Sequence, residues 1–258
     1  MPFRIMTYIK LAFGISTAIM LAGGPTTMIL ASDAAGDNLS PDEILKKAQK
    51  NYASLTSYSD EGKIVATMDG TATITSFAIR LARTNLYYIE WHRNSRSDST
   101  MDAGFQAVWS SSAGNFLERG LGPENEGSRD IALAKANDLC SGAAATIPMT
   151  FFNTQSGNEL NGSMFSEKRQ TDEKIGNVDC YVFTSESQSE TKTLWIGKRD
   201  FLIHQIRTVT SAEAMQAAAK WDPEIISDLH GFTSTETHTN IVVNKQFLPS
   251  DFVPSNGE

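Results

Sequence analysis

Few residues in this chain are of a type and spacing that could perform acid-base or nucleophilic chemistry. The chain has four histidines, which are His92, His204, His230 and His238. His204 and His238 fall in predicted strands late in the chain and could be neighbours, but a solvated or hydrogen-bonded histidine is the commoner outcome. The carboxylates are dispersed, and Asp42-Glu43 fits the start of a helix better than acid-base work. The sequence predicts no catalytic constellation.

Motifs typical of enzymes or of cofactor binding are also missing from the sequence. It contains no GxSxG, no HExxH, no GxGxxG and no glycine-rich phosphate loop. It has no CxxC and no Cys/His cluster, so a zinc or iron-sulfur site is not expected. We therefore predict a protein that is not an enzyme and that binds no metal or other cofactor.

The two cysteines, Cys140 and Cys180, allow one disulfide in an oxidising compartment. A bridge closing a loop of about 40 residues would restrict the unfolded chain by roughly 4 kcal/mol in the entropy model. The alternative is two separate buried thiols. We expect the bridge, because the chain carries the features of an exported protein.

Those export features lie in the first 31 residues. Arg4 and Lys10 precede a mostly apolar run from Leu11 to Leu30, and no acidic residue occurs before Asp33, which is the order of a secretory signal peptide. We predict a signal peptide over 1–31, cleaved near Ala31, followed by a polar linker over 32–39. A retained anchor is the alternative, but glycine, proline and threonine interrupt the run short of a clean span of about 20 residues.

The charge of the mature chain argues against nucleic acid as a partner. Removing the leader takes away Arg4 and Lys10 and changes the formal net charge from −8 to −10. Such a surface repels a phosphate backbone. What remains, 40–258, is long enough for one large domain with its own core, which we expect to be a soluble monomer with no stable membrane span.

The predicted domain opens with a helix. In SPDEILKKAQKNYASL, Ser40 can cap the helix, Pro41 occupies the first turn, and Glu43 completes a capping box. Apolar residues then follow at helical spacing, which predicts one face packed on a core.

After this helix the hydrophobic period changes to two, which predicts a long antiparallel meander. Turn signals such as Asp69-Gly70 and Gly176-Asn177 divide the strands. The predicted strands are SYSDEGKIVATMDG, TATITSFAIRLAR, NLYYIEWHRN, FQAVWSSSAGNFLERG, SMFSEKRQTDEKI, NVDCYVFTSES, TKTLWIG, FLIHQIRTV and FTSTETHTNIVVN. Several carry large apolar groups on both faces, as Tyr87 and Tyr88 do, whereas a sheet covered on one side alternates more cleanly.

Two helical segments interrupt the predicted strands. The first, SRDIALAKANDLCSGAAATIPMTFF, begins with Ser128, a residue that can cap a helix, and ends in an apolar cluster. The second, SAEAMQAAAKWDPEIISDLHG, is broken at Pro223. Helices between the strands of a meander tend to cover the sheet rather than extend it. They form either a plain helical plug or a lid over a ligand cavity, and the pattern leaves both open.

The order of these elements resembles that of the LolA-like family of bacterial outer-membrane lipoprotein carriers and their mycobacterial lipid-binding relatives. The likeness covers about residues 40 to 254 and rests on the capped helix, the meander, the hairpin TKTLWIGKRDFLIHQIRT and the ending NIVVNKQFLPSDFVPS. Its most specific parts are the Trp-containing strand before Gly197-Lys198 and the ending that includes Phe247, Pro249 and Phe252.

The resemblance implies an α+β fold, an open and strongly curved antiparallel sheet that forms an incomplete barrel, with helices over its concave apolar side. It implies acyl chains of lipids or lipoproteins as cargo, and each CH₂ moved from water into such a cavity gains about 0.8 kcal/mol. No position matches a charged gating residue of the family securely, and Arg80, Arg83 and Arg207 are candidates only because they lie in or beside strands.

Strand parity predicts which residues would line the cavity. Five large apolar residues lie at alternate positions of two successive strands, so those of each strand share one face. Antiparallel neighbours place such side chains about 5 Å apart. We predict walls made by Phe77, Ile79, Tyr87, Ile89 and Trp91 and a cover made by Met149, Phe151 and Phe152. The alternative is an ordinary closed core without room for cargo.

Three classes of function follow from these observations. A periplasmic carrier of lipids or lipoproteins agrees best with the missing catalytic motifs. A sensor or interaction module of the envelope, with a protein partner, is the second possibility. A secreted hydrolase is the third and is disfavoured by the same missing motifs.

Overall fold

The fold is that of a computed structural model, which describes residues 39–68, 70–83, 85–94, 106–153, 160, 168–219 and 231–254. The predicted signal peptide, all but the last residue of the predicted linker, and the predicted helix break at Pro223 lie outside these residues.

The first helix, α1 (Pro41–Ser54), forms as its sequence predicts. Ser40 accepts a hydrogen bond from the backbone of Glu43, whose carboxylate in turn accepts one from the backbone of Ser40, so the capping box is complete. The pKa of the Glu43 carboxyl is lowered by these hydrogen bonds. The helix buries Ile44, Tyr52 and the apolar residues between them on one face, which fixes how it packs on the sheet.

In the described residues twelve strands make one antiparallel sheet. They are β1 (Ser57–Met68), β2 (Thr71–Ala82), β3 (Leu86–Asn94), β4 (Gln106–Ser111), β5 (Gly114–Arg119), β6 (Glu124–Glu126), β7 (Lys168–Arg169), β8 (Glu173–Ile175), β9 (Val178–Glu186), β10 (Glu190–Gly197), β11 (Ile203–Thr210) and β12 (Phe232–Val243). Each predicted strand segment contains at least one of these strands, whereas the short β6 was not predicted.

The sheet is two meanders joined at one seam. Its order is β6-β5-β4-β3-β2-β1-β12-β11-β10-β9-β7, with β8 paired to β9 beside β7. The seam is the long pairing of β1 with β12, which brings Tyr58 opposite Val243 and Met68 opposite Phe232. Within the described residues β6 and β7 end the sheet and do not pair with each other. The predicted α+β class with an open antiparallel sheet is therefore confirmed.

Three further helices follow among the described residues: α2 (Arg129–Leu139), α3 (Thr146–Phe152) and α4 (Ala212–Ala219). The first predicted helical segment is therefore two helices, because Ser141 and Gly142 adopt positive φ angles of 62° and 116° that end the helix. In the described part of the chain, no helix combines the length and hydrophobicity needed to cross a bilayer.

The inner face of the sheet carries the main core. Buried residues of α1, α2 and α3 belong to the same apolar cluster as Ile79, Trp91 and Leu194 of the strands. The helices therefore cover this face, as predicted.

Apolar residues also lie on the outer face because other segments cover it in two places. Near β9 and β10, Cys180, Val182 and Trp195 pack with Ile175 of the β8 hairpin, and the indole of Trp195 donates a 2.9 Å hydrogen bond to Glu173.

The second outer cluster lies over β3 and β4. Tyr88 and Trp109 pack against Phe252, which ends a short 3₁₀ turn, Pro249–Phe252. Arg80 holds this turn in place by donating a hydrogen bond to the Asp251 carbonyl at 3.1 Å. The strands with apolar residues on both faces are thus covered on both sides.

The structure contradicts the predicted disulfide. Cys140 and Cys180 are both free and buried. Cys140 packs in the inner cluster, where the Ala144 amide donates to its sulfur at 3.1 Å. Cys180 packs in the outer cluster with Trp195. Because the sheet lies between them, the thiols cannot meet, and the alternative of two separate buried thiols holds.

Thiol counting tests this arrangement. Unfolded protein that has never been reduced should react with two equivalents of a chromogenic disulfide reagent. The folded protein should react far more slowly, since both thiols are buried and burial raises the pKa of each to about 12. Cys180→Ala should leave one reactive thiol. A count of zero in the unfolded protein would show that the bridge exists.

Candidate ligand-binding site

The predicted wall residues lie together on the inner face of β2 and β3. Phe77 pairs with Trp91 and Ile79 pairs with Ile89 across the two strands, while Tyr87 stands opposite Leu81. All five are buried in the inner cluster. In this conformation they form a packed layer beneath the helices.

Two of the wall residues carry polar groups that find partners at the edge of the layer. The Trp91 indole donates a 2.5 Å hydrogen bond to the Gln106 side chain. The Tyr87 hydroxyl donates to the Asn115 side chain at 3.0 Å, and burial raises the pKa of this phenol. These bonds fix the ring orientations, so the wall presents apolar surface toward the helices.

The predicted cover residues lie on α3 and meet the wall through aromatic rings. Phe151 is buried, whereas Met149 and Phe152 are partly buried. The rings of Phe151 and Phe152 stand edge to face, with centroids 5.0 Å apart. The ring of Phe152 also meets that of Tyr87 at 6.4 Å. Among the residues predicted for the wall and the cover, Tyr87 and Phe152 are thus in direct contact.

Two arginines lie against the rings of the cover. The guanidinium of Arg83 lies 4.2 Å from the centre of the Phe151 ring, and that of Arg129 lies 4.5 Å from the centre of the Phe152 ring. Arg83 also donates to the carbonyls of Leu55 and Tyr52 at the end of α1. Burial lowers the pKa of Arg83. This arginine thus joins α1, the end of β2 and the cover.

A cluster of buried polar side chains lies beside the apolar wall, and sequence reasoning did not find it. We call Tyr58, Asp60, Thr146, Glu236 and His238 the acid–histidine cluster. All five are buried. Four come from the seam strands β1 and β12, and Thr146 is the first residue of α3. The cluster therefore connects the seam to the cover.

Short hydrogen bonds hold the cluster together. Asp60 Oδ2 is 2.6 Å from His238 Nδ1 and accepts from the Tyr58 hydroxyl at 2.8 Å. On the other side of the imidazole, Nε2 lies 3.2 Å from Glu236 Oε1. The Thr146 hydroxyl donates to Glu236 Oε2 at 2.8 Å. One imidazole is thus flanked by two carboxylates, and each carboxylate has one hydroxyl donor.

The electrostatics of the cluster favour the protonated form of His238. Burial alone would lower the pKa of this imidazole, but the Asp60 and Glu236 carboxylates outweigh burial and raise its pKa to about 10. Burial and the neighbouring Asp60 carboxylate raise the pKa of the Tyr58 phenol well above its usual value, so this hydroxyl remains a donor.

Local backbone geometry makes room for the cluster. The pairing of β1 with β12 shifts register between Ser59 and Glu61, so that Asp60 alone lies opposite both Asn240 and Ile241 of β12, a β-bulge in which Asn240 has a positive φ of 54°. Two residues later Gly62 has no side chain, and the ring of Phe77 occupies that space, since a Cβ there would lie 2.2 Å from the ring. The Phe77 ring meets the imidazole of His238 at 5.5 Å.

The two strand histidines, His204 and His238, have different carboxylate partners. His204 bonds to Asp200 at 2.9 Å in the turn before β11, whereas His238 bonds to Asp60 and Glu236. The expectation of a hydrogen-bonded histidine is confirmed for both. A signal for the cluster exists in the sequence, because Glu236 and His238 are two apart in a strand and so share one face. Spacing alone does not tell which face is buried.

Open grooves elsewhere on the surface are not lined by most of the predicted wall residues. One of about 600 Å³ lies on the outer face of β12, β1, β2 and β3, and another of about 540 Å³ lies at the end of β1, β11 and β12. Neither is lined by Ile79 or Trp91. Within the described residues no group of three or more His, Cys, Asp and Glu side chains is arranged to hold a metal ion.

Comparisons with known proteins find similarity at the level of solved structures. The chain is similar to the Pseudomonas aeruginosa MucA/MucB complex structure (9% identity, TM-score 0.44, 83% of this chain and 60% of that one). It is also similar to LprF from Mycobacterium bovis, with 8% identity and a TM-score of 0.43 over 80% of this chain and 94% of that one. A LolA superfamily protein from Nitrosomonas europaea has 11% identity and a TM-score of 0.34 over 84% of this chain and 98% of that one.

The structures that the chain is similar to include a LolA superfamily protein, the group that its sequence resembles. At TM-scores below 0.5 they carry no conclusion about function. No family model matches the sequence, and no curated protein matches it.

The buried imidazole predicts how stability depends on pH. Because the pKa of His238 is about 10 in the folded state and about 6.5 when unfolded, its stabilisation is complete below pH 6.5 and is lost as the pH rises toward 10. The free energy of unfolding, measured with urea, should fall by up to about 5 kcal/mol over this range.

A matched pair of variants isolates this effect. His238→Gln should flatten the alkaline part of the profile, while His92→Gln, at an exposed position, should leave it unchanged. Should His238→Gln fail to fold, NMR of the native protein gives the same answer. An imidazole of His238 that is neutral at pH 8 would contradict the prediction.

Proposed function

We propose that the chain is a non-enzymatic periplasmic carrier that binds the acyl chains of lipids or lipoproteins between the inner face of its sheet and α3. In this proposal residues 1–31 are a cleaved signal peptide, 32–39 a linker, and 40–258 the binding domain. The walls are Phe77, Ile79, Tyr87, Ile89 and Trp91, and the cover is Met149, Phe151 and Phe152.

The observation that carries the proposal is how α3 lies on the wall. Its Phe152 meets Tyr87 ring to ring, and its Phe151 packs in the inner cluster. No strand pairing has to break for such a helix to move away. An acyl chain that replaced the two rings would keep the wall out of water, so the loss of one apolar contact is offset by another.

The open sheet supports the same proposal. Because β6 and β7 end the sheet without pairing in the described part of the chain, the inner space can widen without breaking a hydrogen-bonded ladder. The gain from burying a chain of about 15 methylenes is roughly 12 kcal/mol before the costs of ordering. This gain favours the loaded state over the closed, empty one if moving α3 away from the wall costs less free energy than burying the acyl chain yields.

The contacts of His238 support a protein without catalysis. Its ring nitrogens face Asp60 and Glu236, and its ring edge meets Phe77. The hydroxyls of the cluster, on Tyr58 and Thr146, both donate to carboxylates. A hydroxyl nucleophile would instead donate its proton to the imidazole.

Native mass spectrometry of the protein purified from its own envelope separates the remaining candidates. Co-purified acyl species on a monomer support the carrier. An empty chain with a tightly bound protein partner would replace it with an envelope sensor or interaction module.

A probe-binding experiment tests the wall. Trp91→Ala should weaken binding of a fluorescent fatty-acyl probe by about tenfold or more, since one buried aromatic contact is worth over 1.4 kcal/mol. Trp109→Ala is the matched control, because Trp109 lies on the outer face of the neighbouring strand. It should leave probe affinity unchanged. Equal losses in both variants, or a parent that never binds the probe, would count against a carrier that uses this wall.

A further inference from the structure

We infer that Asp60, Glu236 and His238 bind the polar end of the cargo, and that this end is a hydrogen-bond donor, with a primary ammonium group preferred. The inference rests on the proposed function, because the acyl chain of such a molecule would lie along the adjacent apolar wall. It specifies the chemical class of the cargo as an amphiphile with a donating, cationic headgroup.

Unpartnered atoms at the centre of the cluster indicate a missing group. Asp60 Oδ1 is buried and makes no hydrogen bond to the described residues. Glu236 Oε1 and His238 Nε2 are also buried, and they face each other at 3.2 Å without the geometry of a hydrogen bond. The three residues are only 4%, 6% and 2% exposed. Buried polar atoms are rarely left without partners, because each forfeits its hydrogen bonds to water. Asp60 Oδ1 and Glu236 Oε1 are both acceptors, so the missing group is a donor.

The charge of the cluster points to a cation. With both carboxylates ionised and His238 protonated, the cluster carries one net negative charge. The hydroxyls that donate to the carboxylates, on Tyr58 and Thr146, are neutral. A buried charge without a counter-charge is costly. An ammonium group supplies both the positive charge and up to three donors.

In the closed state Thr146 supplies a hydrogen bond that the headgroup would supply in the loaded state. Its hydroxyl donates to Glu236 Oε2 at 2.8 Å, and it is the first residue of α3, the helix that forms the cover. When α3 moves away, Glu236 loses this donor. A headgroup that donates to the same carboxylate replaces the lost hydrogen bond, so a donor-bearing cargo lowers the cost of opening.

The location of the cluster fits an amphiphile. The imidazole of His238 lies against the ring of Phe77, and Phe77 stands opposite Trp91 in the wall. The polar atoms and the apolar wall are thus neighbours on one face of the sheet. A molecule with a headgroup at His238 can run its chain along Phe77 and Trp91.

A headgroup series tests the inference. Hexadecylamine, hexadecanol and palmitate share a chain length, and each is used to displace a fluorescent acyl probe below its micelle concentration. We expect the amine to bind about tenfold tighter than the alcohol and the alcohol tighter than the carboxylate. Measurements at about 0.3 M salt screen the negative surface charge, which would otherwise attract the amine without a site.

Three variants assign the preference to the cluster. Glu236→Gln should remove most of the preference for the amine while leaving the alcohol bound. Thr146→Val should strengthen amine binding, because the cover no longer competes for Glu236. Glu61→Gln, at an exposed carboxylate next to Asp60, is the matched control and should change nothing. Thr146→Val keeps the test decisive if Glu236→Gln does not fold.

The outcomes separate this inference from the proposed function. If all three ligands bind equally and Thr146→Val has no effect, the cluster holds only a water or a shared proton, the inference fails, and the carrier function stands. If no ligand displaces the probe because none binds, the carrier function fails and the inference fails with it.

Discussion

The hydrogen bond between Asp60 and His238 spans the one pairing that joins the two halves of the sheet. β1 through β6 form one meander and β9 through β12 the other, and among the strands that the structure describes only β1 with β12 connects them. At 2.6 Å, with both side chains buried, this bond sits in a low-dielectric interior where charged partners interact strongly. The inner core can be continuous from β3 to β10 only while this seam is intact.

The same seam sets the relation between the sheet and its helices. Glu236 on β12 bonds to the first residue of α3, and Arg83 at the end of β2 bonds to the end of α1 and lies against Phe151 of α3. A hydrogen bond therefore holds the first residue of α3, and a cation–π contact holds the helix near its other end. The molecule combines a sheet held by ladders of hydrogen bonds with a cover held by a few side chains.

Local signals in the sequence predicted much of this fold, and the misses have a common cause. The capping box of α1 and the period-two strands are local features, so both were predicted. The predicted disulfide is wrong because a sheet separates the two side chains, and a spacing of 40 residues along the chain does not reveal this. The acid–histidine cluster was missed because Asp60 and His238 are far apart in the chain, and alternation alone does not tell whether a polar face meets water or another element.

The distance along the chain between the two seam strands has a consequence for biosynthesis. Asp60 and His238 are 178 positions apart, so β1 leaves the ribosome long before its partner exists. Hairpins within β1 to β6 can form early, but one long edge of β1 stays unpaired until β12 is made. Non-local pairings of this kind are slow to form, and exposed edges invite association with other chains. The free edge of β1 is therefore exposed to pairing with other chains until the last strand of the sheet closes the seam.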